Sequence, residues 1–196
     1  MLLFPSLKYA NFSFNKFTTA GFRRFHKSYH TLRHVDLSSN SIDQMIAQIL
    51  LNTPPTLEKF DSSDNNIEGI LPKKFPIKDG LQFFAMSNNR ISGPLPDFPN
   101  TSPRLKHLDL ANNGLTGTIH ESLWQLSDIS VLDLTGNSFT GSIPSTIGDL
   151  AQLKILRLSS NLLHQTIPAK LAKLKGRCYL LTTEILTGIQ LELSAN

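Results

Sequence analysis

Asparagine recurs at a fixed step along this chain. Asn15, Asn40, Asn65, Asn89, Asn113, Asn137 and Asn161 are separated by 25, 25, 24, 24, 24 and 24 residues. Around each lies one frame, L-x-x-L-x-L-x-x-N-x-L, most regular in LKHLDLANNGLTGTI from Leu105 to Ile119. A period of this length means one supersecondary unit per repeat, unable to bury its apolar face alone and stable only when stacked on its neighbours. Side chains alternate along a strand, so Leu108 and Leu110 are expected inward and Lys106, His107, Asp109 and Ala111 outward. The asparagine amide carries both donors and an acceptor, which suits it to satisfy backbone groups of adjacent coils where the chain leaves the sheet. That column is therefore read as structural.

The remaining repeats vary this frame. Residues 1–31 form a weak edge repeat in which Leu7, Ala10, Phe12, Asn15 and Phe17 fit. The second repeat (Leu32, Val35, Leu37, Asn40, Ile42) fits through its strand and then degenerates. The third (Leu57, Phe60, Ser62, Asn65, Ile67) puts a serine where an inward leucine belongs, a soft spot. From Ile67 a second signature follows each asparagine: IEGILP, ISGPLP, LTGTIH, FTGSIP and LHQTIP. Gly69, Gly93, Gly117 and Gly141 supply permissive backbone there, and Pro72, Pro96, Pro144 and Pro168 fix φ where the chain turns to the convex side.

The full frame, L-x-x-L-x-L-x-x-N-x-L-x-G-x-I-P, resembles the plant-specific class of extracellular leucine-rich repeats found in receptor-like kinases, receptor-like proteins and polygalacturonase-inhibiting proteins. It covers about residues 7–168, with His120 in place of the proline and Gln165 in place of the glycine as its departures. The resemblance implies an α/β leucine-rich repeat solenoid with a curved parallel sheet on the concave face, short turns, and 3-10 or short helices on the convex face. Regular repeats are expected over 32–175. The stretch 176–196 reads either as an insertion before a partial last repeat at Leu191, Leu193 and Asn196, or as the start of the non-repeat island of plant receptor-like proteins. These families begin with a signal peptide and a cysteine-paired cap. Pro5 and Lys8 interrupt any apolar leader here and Cys178 stands alone, so the chain is expected to be an internal piece or a truncated relative.

Composition limits the alternatives. The net charge of +4 is concentrated at the start, because Lys8, Lys16, Arg23, Arg24, Lys27 and Arg33 all precede the first acid, Asp36. That basic, aromatic stretch has the ingredients of a nucleic-acid contact, but no recognition motif accompanies it and the rest of the chain is slightly acidic, so no nucleic acid is expected. One cysteine excludes an internal disulfide and a multi-thiolate metal site. His26, His30 and His34 are spaced for one helical face, yet His34 falls in a strand and no further ligand completes the set, so no metal and no cofactor are expected. No run of about 18 apolar residues occurs, and no membrane span is expected.

Catalysis fails on spacing. His34 and His107 lie three repeats apart, about 14 Å at strand spacing, too far to share a proton. Asp36, Asp61, Asp109 and Asp133 match the L-D-L strand of the resembled class and read as solvated structural residues. A flat repetitive sheet also lacks the water-excluding pocket that chemistry needs. The chain is therefore expected not to be an enzyme.

Recognition remains. One outward column reads Tyr9, His34, Lys59, Phe83, His107, Val131 and Ile155, and the next Asn11, Asp36, Asp61, Ala85, Asp109, Asp133 and Arg157. The candidate binding lane takes Phe83, Val131 and Ile155 as exposed apolar anchors, with Arg33, His34, Lys59, Lys106, His107 and Arg157 as polar contacts. Two sequons, at Asn11 and Asn100, are candidate glycan positions. The resemblance implies a protein or peptide ligand on the concave face, a co-receptor kinase acting through the parent protein, and an extracellular or plasma-membrane-attached setting in defence or development. The alternative is an inhibitor of a microbial cell-wall-degrading enzyme, similar to polygalacturonase-inhibiting proteins. Ice binding would need a regular Thr or Asn ladder, and the outward columns are mixed.

Overall fold

The structure is a computed structural model that describes residues 6–20, 31–43, 45–51, 53–75, 80–98, 104–164 and 167–174. In chain order its strands are β1 (Tyr9–Asn11), β2 (His34–Asp36), β3 (Lys59–Asp61), β4 (Glu68–Ile70), β5 (Phe83–Ala85), β6 (Arg90–Pro94), β7 (His107–Asp109), β8 (Gly114–Thr118), β9 (Val131–Asp133), β10 (Ser138–Thr140) and β11 (Ile155–Arg157). One short helix, α1 (Ile46–Leu51), lies between β2 and β3, and 3-10 turns cover Glu121–Gln125, Ser145–Asp149 and Ala169–Lys173.

Seven strands form one parallel sheet in the order β1-β2-β3-β5-β7-β9-β11, each repeat adding one strand beside the last. Their register is the one that the asparagine frame demands: Ala10, Val35, Phe60, Phe84, Leu108, Leu132 and Leu156 pair in sequence across it. Leu108 and Leu110 are fully buried. They belong to one continuous core running from Ala10 to Leu158, so no repeat is packed independently of its neighbours. The outward expectation fails for Ala111, which is 6 % exposed, as it does for Ala85 at 2 %. A methyl group is too short to rise above the side chains of the adjacent strands.

Each asparagine from Asn40 to Asn161 ties two repeats together. Asn137 Nδ2 donates to the carbonyls of Leu134 and Thr135 in its own turn and of Leu110 in the preceding one, while its Oδ1 accepts the Leu115 N–H. The same set recurs at Asn65, for example, with Ser62, Ser63, Leu37 and the Ile42 N–H. Immediately before each asparagine the backbone is left-handed, with φ between 52° and 67° at Phe14, Ser39, Asp64, Asn88, Asn112, Gly136 and Ser160. The L-x-x-L frame contains no signal for this turn, because phenylalanine and serine occupy it alongside the residues that favour it.

The signature after the asparagine forms a second parallel sheet, β4-β6-β8-β10, where the sequence suggested only turns. Its glycines are needed. Gly93 has φ of 78°, and a Cβ there would stand 2.9 Å from Ile70 Cγ2. Helix α1, from the degenerate second repeat, packs against β4 and holds the place of a strand. His120, which breaks the proline pattern, has a proline-like φ of −64° and caps the turn at Glu121–Gln125 by accepting the Ser122 N–H at its Nδ1. Gln165 lies outside the described residues, as do His26, His30, Cys178 and the tail 176–196.

Ser62 is 1 % exposed and its Oγ has no hydrogen-bond partner. The neighbouring layer is aromatic instead of aliphatic: Phe60 stacks on Phe84 at 5.8 Å, and Phe84 meets Phe75 edge-on at 4.9 Å. A buried hydroxyl left unpaired costs about 1–3 kcal/mol. Ser62→Ala is expected to raise the thermal midpoint by a few degrees, at about 2–4 °C per kcal/mol for a chain of this size, as read by circular dichroism. Leu110→Asp puts an unpaired charge in the core and is expected to abolish cooperative unfolding, whereas Lys106→Ala on the exposed face shifts the midpoint by less than about 1 °C. Equal shifts for these two variants would refute the inward and outward assignment.

Candidate functional site

The outer face of the seven-stranded sheet carries the lane read from the sequence. Register pairs Tyr9 with His34, His34 with Lys59, Lys59 with Phe83, Phe83 with His107, His107 with Val131 and Val131 with Ile155. Backbone pairing alone thus aligns seven side chains, and five of them make side-chain contacts along the lane. Tyr9 meets His34 edge-on with ring centroids 4.7 Å apart. Lys59 Nζ stands 4.5 Å from the Phe83 centroid, and the other face of that ring stacks on His107 at 4.1 Å and 16°. Phe83, Val131 and Ile155 are half-buried, which corrects the expectation that they stand exposed; at Phe83 the covering groups are Lys59 and His107.

The column one residue before this lane holds Lys8, Arg33, Glu58, Gln82, Lys106, Ser130 and Lys154. Arg33 Nη1 pairs with Glu58 Oε1 at 2.5 Å, and His34 Nε2 lies 3.6 Å from the other Glu58 oxygen. Lys106 Nζ donates to Gln82 Oε1 at 3.1 Å. Glu58 and Gln82 are the site residues that the sequence reading missed. Tabulating this third column would have found them, since they sit at the same frame position as Arg33 and Lys106.

The aspartates on the far side act on the backbone. Asp36, Asp61, Asp109 and Asp133 accept the N–H groups of Ser38, Ser63, Ala111 and Thr135 through Oδ1, fastening the exit of each strand. Arg157 Nη1 reaches Asp133 Oδ2 at 3.1 Å, so Arg157 closes this acidic column. Asn11, an exposed sequon residue on β1, accepts from both the N–H and the hydroxyl of Ser13. Asn100 lies outside the described residues.

One group in the lane and one in the column beside it are electrically perturbed. Burial pushes the His107 imidazole below its ordinary value of 6.5; the carboxylates of Asp109, Asp61 and Asp133 oppose this, and Lys59 adds to it. Burial likewise raises Asp109 above 3.8, against the Ala111 N–H that favours its carboxylate. His107 is therefore neutral at pH 7 and stacks on Phe83 as an uncharged ring. Among the described residues no cluster of three metal-ligating side chains occurs, and no helix is long and apolar enough to cross a membrane.

Sequence and structure comparisons converge. Residues 103–163 match the leucine rich repeat family model, and residues 30–44 match a second one. Among solved structures, the ectodomain of the plant membrane receptor kinase GASSHO1/SCHENGEN3 from Arabidopsis thaliana, in complex with CASPARIAN STRIP INTEGRITY FACTOR 2, superposes with a TM-score of 0.72 at 27 % identity, over 87 % of this chain and 20 % of that one. The chain folds as a leucine-rich repeat solenoid, similar to that of a plant receptor-kinase ectodomain.

Two further structures share the solenoid. The Arabidopsis receptor kinase HAESA, in complex with the peptide hormone IDA and the co-receptor SERK1, gives a TM-score of 0.71 at 24 % identity over 86 % of this chain and 28 % of that one. The SOBIR1 receptor kinase ectodomain from Arabidopsis thaliana gives 0.53 at 25 % identity, covering 58 % and 62 %. The chain spans about a fifth of the GASSHO1/SCHENGEN3 ectodomain's length. Among curated protein sequences nothing matches.

The lowered His107 value has a defined sign. The unfolded imidazole takes up a proton near 6.5 while the folded one does so only at lower pH, so this group removes stability as pH falls from 6.5 towards its folded value. An NMR titration of the solenoid is expected to place the His107 midpoint below 6.5, and Asp109→Asn is expected to lower it further by removing the largest opposing charge.

Proposed function

We propose that the solenoid recognises a protein or peptide ligand on the concave face of its seven-stranded sheet, without chemistry, as the ligand-recognition part of a protein resembling plant receptor-like proteins. The observation that carries this reading is the unbroken lane from Tyr9 to Ile155. Seven outward side chains in register make an extended surface of mixed aromatic, cationic and aliphatic character, and the core does not depend on their identity. The similarity to an ectodomain crystallised with CASPARIAN STRIP INTEGRITY FACTOR 2 supports it. On this reading the parent protein faces the cell exterior, a co-receptor kinase joins through it, and Asn11 and Asn100 accept glycans.

Interface energy concentrates in a few well-packed anchors, whose loss costs about 2 kcal/mol or more each. The test selects binders for the full chain from a phage-displayed random dodecapeptide library and measures them against variants. Val131→Asp is expected to weaken the selected peptides at least about tenfold, which corresponds to 1.4 kcal/mol. Thr118→Arg, exposed on the second sheet, is expected to leave them unchanged. Peptides that respond to Thr118→Arg and ignore Val131→Asp would move the binding surface off this face.

A further inference from the structure

The lane is not uniform along its length. Around β3 to β7 its basic side offers two ammonium groups that both reach to β5, Lys59 over Phe83 and Lys106 on the Gln82 amide. Phe83 contributes in the same sense. Lys59 and His107 occupy its two faces, so only its edge is left for a ligand, and the edge of an aromatic ring is the positive part of its quadrupole. Beyond β7 the character changes. Val131 and Ile155 follow as adjacent aliphatic side chains, half-buried and without a charge in the lane.

The two flanking columns differ in their predominant sign. On the acidic side, the carboxylates of Asp36, Asp61, Asp109 and Asp133 accept turn N–H groups through Oδ1, and Asp133 is also paired with Arg157. The opposite column holds Lys8, Arg33, Lys106 and Lys154 against one acid, Glu58, which Arg33 holds. Lys106 is exposed, and among the described residues its ammonium is bonded to the neutral Gln82 amide. A ligand lying on the side of the lane away from the aspartates therefore meets cations at one end and aliphatic surface at the other.

Geometry sets the spacing. From β3 to β9 the sheet advances three strands, about 14 Å at 4.8 Å each, which an extended peptide crosses in about four residues at 3.3 Å per residue. Lys59 reaches Phe83 on β5 and Lys106 reaches the preceding Gln82, which shortens the span by up to one strand. We propose that the ligand of this solenoid is an extended peptide segment with an acidic side chain seated at Lys59 and Lys106 and, three or four residues away, an aliphatic or aromatic side chain on Val131 and Ile155. This specificity rests on the reading of the concave face as the binding surface.

The library selection described above tests it when the recovered sequences are aligned. The expected consensus has Asp or Glu three or four positions from Leu, Ile, Val or Phe. Its best member, synthesised as a blocked peptide, should bind Lys59→Glu at least about tenfold more weakly than the native chain, and replacing its acid by lysine should recover most of that loss. Lys59→Gln, which adds no new charge, should give a smaller loss in the same direction, and thermal midpoints establish that both variants fold. Binders that carry Lys or Arg at that position, or show no charge preference, overturn the proposed polarity while a loss on Val131→Asp keeps the face itself. Binders indifferent to Val131→Asp overturn the face and the polarity together. A selection that yields no peptide above the blank overturns the peptide class.

Discussion

The architecture depends on one side-chain amide used six times. Where each strand leaves the sheet, three carbonyls and an N–H face inward with no strand left to pair them, and a buried backbone group without a partner costs about 1–3 kcal/mol. A single asparagine meets all four in each turn from Asn40 to Asn161. No other side chain of that length has two donors and an acceptor at one end. Leucine packing supplies the hydrophobic drive, and the amide determines where the chain turns. Among the described residues, Asn15 donates to Phe12 and Ser13 in its own turn.

Much of this was legible before the structure, because a solenoid folds on local rules. The period located every strand of the long sheet, and alternation within it separated buried Leu108 from outward His107. What escaped the frame depends on contacts between repeats. Ala85 and Ala111 are outward by position and buried by size, since taller neighbours close over them. Gly69, Gly93, Gly117 and Gly141 were read as freedom to turn; all four hold a positive φ along a second sheet, and at Gly93 and Gly141 a Cβ would also crowd the neighbouring strand's side chain. His120 looked like a defect and proved to be a substitute cap.

The candidate site was legible to the same depth. Its seven-residue lane follows from the frame, but the state of each member does not. Phe83 is held between an ammonium and an imidazole 24 residues away on either side, and Arg33 is already engaged by Glu58. Position in a repeat shows which side chains can reach a ligand. Only their lateral contacts show which atoms are left to do so, and those contacts run at right angles to the sequence.

The asparagine linkage also has a direction. Each amide completes the turn of the repeat before it: Asn137 Oδ1 takes the Leu115 N–H, and Asn161 Oδ1 takes that of Phe139. Every repeat is thus finished by its successor, and the bonds that finish it are the same at every junction. For the gene, this makes the whole repeat the natural unit of duplication or loss. Adding or removing one complete coil restores every bond at the new junction, whereas a shift of one or two residues between strand and asparagine leaves an amide opposite the wrong carbonyl, so such families can lengthen their binding surface by copying in frame.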